Sequence, residues 1–375
     1  MQIADLGEFG LIERISSRIA GYGPDVVVGI GDDVAVLKTA EGRLLLATCD
    51  IQIEGVHFLR DRITPYQLGR KAAAINFSDI AAKGGSPRHL LISLALPGHL
   101  SVEFVDELYR GLQDEAGRAG AAIVGGNLAR SLSGVVVDIM LLGEVEPDHL
   151  LLRSGAQVGD RVLVTGSLGR SAAGLALLLQ PEVQVSEEQA QDVLAAHLTP
   201  TPRLNEGHVI GQTRAATAML DLSDGLASDV GHICEMSKVG VRIDGGRVPI
   251  SEATIAVAAK IGQDSLRMAL FGGEDYELLF TAPMDRAQQL ALAVESETGT
   301  PVTDVGEIVP ASEGRTLMLP DGTVAPLMSE GWDHFRRART KSGPPTEVAG
   351  YMDETRLRGL KSSPRGGLRN RCRGF

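Results

Sequence analysis

Carboxylates recur along this chain wherever a short apolar run ends. They stand in Gly31-Asp32-Asp33, Cys49-Asp50, Asn76-Phe77-Ser78-Asp79, Asp221-Leu222-Ser223-Asp224-Gly225 and Gly272-Gly273-Glu274-Asp275. A carboxylate beside a buried strand loses hydration, and several brought together repel unless cations sit between them. Mg²⁺ with a bound polyphosphate suits such a cluster, because carboxylate and phosphate oxygens are both hard ligands. Taken singly, each aspartate also reads as a turn residue or a helix cap. The repetition of the set is what points to metal chemistry.

Other chemistries lack their residues. There is no G-x-x-x-x-G-K-[ST] loop, no H-R-D loop, no G-x-S-x-G elbow and no H-E-x-x-H pair, and the 8 histidines lie apart. Val162 to Gly169 before an Ala-rich helix reads either as a strand-to-helix phosphate loop or as a plain tight turn. His57, in Glu54-Gly55-Val56-His57-Phe58, is structural or shares a site with nearby Asp50. Trp332, the single Trp, is either a packed hydrophobe or an aromatic face for a cationic ring. Cys49, Cys234 and Cys372 form no CxxC pair, so neither a disulfide framework nor a zinc site is indicated.

The formal net charge of −12 argues against non-specific nucleic-acid binding, which needs a basic footprint. An acidic surplus around an anionic substrate is tolerable when metal ions restore the local balance. No apolar stretch reaches the ~20 residues of a membrane span, and Met1 to Ala20 carries acids inside an amphipathic pattern, unlike a signal peptide. A cytoplasmic protein without membrane or nucleic-acid partners is expected.

These residues need strands and helices to position them. Phe9, Ile12, Ile15 and Ile19 lie at helical spacing, predicting a helix from Glu8 to Ala20. Strands are predicted at Val26–Ile30, Val34–Leu37, Arg43–Ala47, Leu90–Leu96, Ile123-Val124 and Val135–Leu142. Thr64-Pro65 opens a helix running to Lys83, and Ser101 caps another to about Arg118. After a break near 146–152 strand and helix alternate again. Strands are predicted at Arg161–Thr165, Ala218–Leu222, Tyr276–Thr281 and Val302–Val309, and Asp321-Gly322 makes a hairpin turn. This is an α/β chain with an N-terminal domain over 1–148 and a C-terminal α/β domain over 149–336. Residues 337–375 form a basic tail too poor in large apolar residues to fold alone.

The combined strings resemble the bacterial thiamine-monophosphate kinase family, within the aminoimidazole ribonucleotide synthetase-like superfamily. Those strings are Gly29–Asp33, Asp50 with Glu54–Phe58, Asn76–Gly84, Leu152–Ala156, Asp221–Gly225, Gly272–Leu278 and Gly331-Trp332-Asp333-His334-Phe335. The resemblance spans residues 5–336 and implies ATP-dependent phosphorylation of thiamine monophosphate to thiamine diphosphate. It further implies a homodimer whose N-terminal mixed sheets meet in a shared barrel. Asp33, Asp50, Asp79, Asp221 and Asp224 are implied Mg²⁺ ligands, with oxygen ligands from Thr48, Cys49 and Asn127. Among them Asp50, Asp79 and Asp221 are the implied catalytic set. Arg153, Ser223, Tyr109 and the Gly126-Asn127 turn are implied ATP contacts; His57, Glu274 and Trp332 are implied substrate contacts. Two departures stand out. Asn127 replaces the family's usual aspartate, and Cys49 stands in its usual Ser-Thr-Asp, where a thiol is a poor Mg²⁺ ligand. Two other readings stay open: another ATP-using enzyme of the superfamily, or a catalytically weakened thiamine-phosphate-binding dimer.

Overall fold

The computed structural model describes residues 3–19, 21–40 and 42–328. Its N-terminal part runs α1 (Ile3–Ser16), β1 (Val26–Val28), β2 (Ala35–Lys38), β3 (Leu44–Ile53), α2 (Pro65–Ala81), β4 (Ser86–Pro97), α3 (Val102–Arg118), β5 (Ala122–Ser131) and β6 (Val136–Val145). The strands form one sheet in the order β1-β2-β3-β6-β4-β5, antiparallel except for the parallel β4–β5 pair. Helix α1 starts earlier than predicted and kinks at Gly7, whose φ is 70°.

Helices α2 and α3 cover one face of this sheet. Phe77, Ile80, Leu108 and Leu112 pack there on Leu46, Leu90, Ile92 and Ile139. Thr64 caps α2 with a full capping box, its hydroxyl accepting from Gln67 N–H while Gln67 reaches back. The opposite face leaves Ile51, Val124 and Met140 exposed, Met140 by 42%.

The C-terminal part runs β7 (Asp160–Thr165), α4 (Arg170–Leu179), α5 (Glu187–Leu198), α6 (Leu204–Thr213), β8 (Ala218–Asp221), α7 (Leu226–Ser237), β9 (Gly240–Asp244), α8 (Glu252–Lys260), α9 (Ser265–Phe271), β10 (Leu278–Pro283), α10 (Met284–Thr298), β11 (Val302–Val309), β12 (Arg315–Met318) and β13 (Val324–Pro326). Its seven-stranded sheet has the order β13-β12-β9-β11-β7-β10-β8. The two parts share a core, because Ala81 and Ala82 at the end of α2 pack on Leu163, Met219 and Phe280. Gly207 permits that approach: a Cβ there would lie 2.1 Å from Ala81 O.

Two strands outrun their predicted limits, and both carry site residues. β3 continues through Thr48-Cys49-Asp50 to Ile53. Strand alternation then turns Thr48 and Asp50 to one side and leaves Cys49 and Ile51 exposed on the other. The expected Gly126-Asn127 turn lies instead inside β5, in register with Ile92-Ser93 of β4. Gly126 has φ 154°, and a Cβ there would meet Ile92 O at 1.8 Å. Close backbone approach, not a turn, is what demands that glycine.

Candidate active site

The aspartates converge where the C-terminal end of α2 meets β8 of the second sheet. Asp32 and Asp33 leave β1 and face the end of α2, where the buried Lys83 ammonium lies 2.5 Å from Asp32 and 2.6 Å from Asp33. It also donates to Met219 O at 3.2 Å. Arg153, from the link after β6, donates through Nε to Asp33 at 2.7 Å. Burial alone would raise the Asp33 carboxyl, but these two cations outweigh it and hold it below the ordinary carboxylate range.

Asp221 is buried and reached by Arg153, whereas Asp50 and Asp79 are half-buried with no cation of their own among the described residues. Thr48 Oγ1 donates to Asp79 at 2.5 Å, and Ser78 Oγ to Asp221 at 2.6 Å. Burial, then the charges of Asp33 and Asp138, push Asp50 up to about 6. Burial and Asp33 push Asp221 up to about 7. Burial with Asp50, Asp221 and Asp33 lifts Asp79 well above its ordinary value. Among the described residues no Lys, Arg or His pairs with Asp50 or Asp79. Uncompensated carboxylates in mutual repulsion are the donor set a hard divalent cation neutralises, so the residues fit Mg²⁺.

Asp224 extends the cluster toward α7. Its carboxylate, that of Asp229 and the His232 imidazole present ligand atoms within 4.8 Å of one another. Asp229, in the first turn of α7, is occupied by accepting from Asp224 N–H at 3.1 Å and Gly225 N–H at 3.0 Å. Burial, then Arg153, push His232 down to about 4, and its ring lies 5.1 Å from that of Phe9 on α1.

Two cavities border the cluster. The more enclosed one, of about 120 Å³, has an apolar wall including Phe58, Leu59, Ile63 and Leu175, and a polar wall of His57, Lys71, His197, Ser223, Asp224 and Glu274. The more open one, of about 560 Å³, lies on the exposed face of the N-terminal sheet, lined by Thr48, Cys49, Ser93, Gly126, Asn127 and Asp138. Ser93 pairs with Asn127 on one side and Asp138 on the other, so the sheet sets an amide and a carboxylate about one serine. Cys49 Sγ is 3.7 Å from Asp138, and burial together with that carboxylate raises the thiol, leaving it no tendency to become a thiolate ligand.

In the enclosed cavity Glu274 is held in a rare backbone conformation, with φ 63°, and Tyr276 follows at φ 52°. Such conformations cost about 1–3 kcal/mol each and persist where surroundings over-determine them. Here Glu274 N–H donates to Ser223 O at 2.7 Å, and the Lys71 ammonium lies 3.1 Å from the Glu274 carboxylate.

The predicted residues are mostly gathered. Asp33, Thr48, Asp50, Asp79, Asp221 and Asp224 form the cluster; His57, Ser223 and Glu274 line the enclosed cavity; Cys49, Gly126 and Asn127 line the open one. Tyr109 lines neither, packing from α3 onto the N-terminal core. Trp332, the Gly331–Phe335 string and the tail lie outside the described residues. The glycine turn before α4 is no vacant phosphate loop. Asp275 already fills it, accepting from Gly169 N–H at 2.6 Å and Ser171 N–H at 3.1 Å. Lys71, Lys83, Asp138, His197 and Asp229 went unmarked in the sequence. A charge inside an apolar run was the available signal for Asp138, amid Val135–Leu142, and for Lys71, before Ala72–Ile75.

The family model of the AIR synthase related protein, N-terminal domain, matches residues 31–145, and that of its C-terminal domain matches residues 157–318. Fold and site thus define a two-domain protein of the AIR synthase related class. Within it, the thiamine-monophosphate kinase of Aquifex aeolicus (strain VF5) is 37% identical over 335 residues, covering 89% of this chain and 100% of that protein. The thiamine-monophosphate kinase of Escherichia coli (strain K12) is 38% identical over 330 residues, covering 88% and 98%. The solved structure of AaThiL complexed with AMPPCP and TMP is similar at a TM-score of 0.77 and 36% identity, covering 89% of this chain and 99% of that one. The chain belongs to the thiamine-monophosphate kinase family.

Proposed function

We propose that this chain transfers the γ-phosphoryl group of ATP to thiamine monophosphate, giving thiamine diphosphate, as a Mg²⁺-dependent cytoplasmic homodimer. The observation that carries the reading is the pair of half-buried carboxylates, Asp50 and Asp79, that face other acids without a cation of their own. The acceptor is a phosphate monoester with a second pKa near 6, so its oxygen is largely ionised at neutral pH. It needs no strong general base. What the reaction needs is two polyanions held in line with their repulsion neutralised.

Asp33, Thr48, Asp50, Asp79, Asp221 and Asp224 would hold Mg²⁺, with Asn127 and the Cys49 carbonyl at the open side. Mg²⁺, when bound, supplies that neutralisation. Arg153 turns Nε and one terminal nitrogen to Asp33, leaving further donors of its guanidinium for a phosphate. Gly126, Asn127 and Ser223 complete the nucleotide contacts. His57 and Glu274 orient the acceptor in the enclosed cavity. The exposed apolar face bearing Ile51, Val124 and Met140 supports pairing of two N-terminal sheets. Cys49 and Cys234 are free thiols, in keeping with a reducing compartment.

The test is thiamine diphosphate formation from thiamine monophosphate and ATP across a Mg²⁺ titration. Production that requires both ATP and Mg²⁺ is expected; binding of thiamine monophosphate with no turnover would favour the weakened-dimer reading.

A further inference from the structure

Lys71 takes no part in the chemistry above, yet its side chain is 1% exposed and its ammonium is 3.1 Å from both carboxylate oxygens of Glu274. Burying an ammonium this completely is costly unless its partner geometry is good. The pair joins the two domains, since Lys71 belongs to α2 and Glu274 to the loop before β10. Glu274 is gripped from other sides too. Its N–H donates to Ser223 O, Tyr276 N–H donates to Leu222 O at 2.9 Å, and Asp275 anchors the same loop on the start of α4. His197 Nδ1, hydrogen-bonded to Ser171 Oγ at 3.0 Å, lies 3.3 Å from Glu274 Oε2.

Lys71, His197 and Glu274 all face the enclosed cavity, whose other wall is apolar. A carboxylate fixed by a bidentate ammonium cannot swing away, and it offers a ligand acceptor oxygens only. It therefore welcomes a ring substituent that donates a hydrogen bond. It repels one that presents another acceptor, since two acceptors would be buried face to face.

We infer that Lys71 is a positioning residue that, acting through Glu274, makes the site select a heteroaromatic ring bearing an amino group over the same ring bearing a carbonyl oxygen. The inference rests on the reading in which this cavity takes thiamine monophosphate, whose pyrimidine carries an exocyclic amine. Lys71 supplies aim and Glu274 supplies the contact.

The experiment compares thiamine monophosphate with its 4′-oxo analogue, oxythiamine monophosphate, by calorimetric binding and steady-state turnover. The proteins are the wild-type chain, Lys71→Met, Lys71→Arg, Glu274→Gln and the double variant Lys71→Met/Glu274→Gln. Wild type should favour the amine by about a hundredfold or more. Lys71→Met should raise KM and Kd for thiamine monophosphate by about tenfold, leave KM for ATP within about threefold, and bring the two analogues close together. Lys71→Arg should restore part of the preference. The double variant should bind no more weakly than Glu274→Gln alone, because the two residues act as one unit.

Unchanged discrimination in Lys71→Met, or losses that add in the double variant, would overturn the inference. Should Lys71→Met fail to fold, Glu274→Gln and Lys71→Arg decide: loss of preference in the first with retention in the second supports it, and equal preference in both overturns it. A wild-type chain that phosphorylates thiamine monophosphate but accepts both analogues alike would overturn the Lys71 assignment alone. One that binds neither would overturn the functional reading itself.

Discussion

Among the described residues, Asp50 and Asp79 are half-buried with no cation to offset the cost, and only the Thr48 hydroxyl helps Asp79. Burial and neighbouring aspartates raise both carboxyls. Asp79→Asn should therefore be at least as heat-stable as wild type without Mg²⁺, and Mg²⁺ should raise its melting temperature less; a melt beside a Mg²⁺ series checks both. Asn127→Asp adds a charge on the far side of Ser93 from Asp138. It should lower the Mg²⁺ concentration for half-maximal rate, modestly because the aspartate set persists, and reduce stability without metal. A Mg²⁺ titration and an apo melt both unchanged would place Asn127 outside the metal site. The aspartates were legible because carboxylates at the ends of apolar runs need a reason to be there. Lys71 was not, since the reason for a buried lysine is a glutamate 203 positions away.

Elements decide which residues meet, and here the sequence was readable in type more than in extent. The capped start of α2 followed from Thr64-Pro65, and the hairpin at Asp321-Gly322 followed from its turn residues. β3 and β5 were cut short because Thr48-Cys49-Asp50 and Gly125-Gly126-Asn127 look like punctuation. Pairing with β6 and β4 overrides that local preference. α5 supplies a pH test through His197. Burial, then the Lys71 charge, push this imidazole down from 6.5 to about 3. Between those values the unfolded chain takes up a proton that the folded chain refuses. His197 thus leaves stability intact above about pH 6.5 and erodes it as pH falls, by at most about 1.4 kcal/mol per unit. Urea denaturation at pH 7 and pH 5 should show a larger acid loss for wild type than for His197→Gln; equal losses would refute the assignment.

At the scale of the whole molecule, the two domains each contribute acids to one cluster: Asp33, Asp50 and Asp79 from the first, Asp221 and Asp224 from the second. The open cavity and the apolar sheet face adjoin, so nucleotide site and dimer surface are neighbours in this account. Met140→Asp, on a residue 42% exposed, should shift sedimentation toward the monomer and weaken ATP more than thiamine monophosphate; an unaltered dimer would remove this face from the interface. The central claim is that the shared cluster gathers Mg²⁺ for phosphoryl transfer between the two cavities. Phosphorus NMR of the purified chain with ATP, Mg²⁺ and thiamine monophosphate tests it most directly, run beside Asp50→Asn and Asp79→Asn. The account predicts equal amounts of thiamine diphosphate and ADP from wild type, and a loss of at least about a hundredfold in each folded variant. ATP consumed without thiamine diphosphate, or near-normal product from either variant, would contradict it.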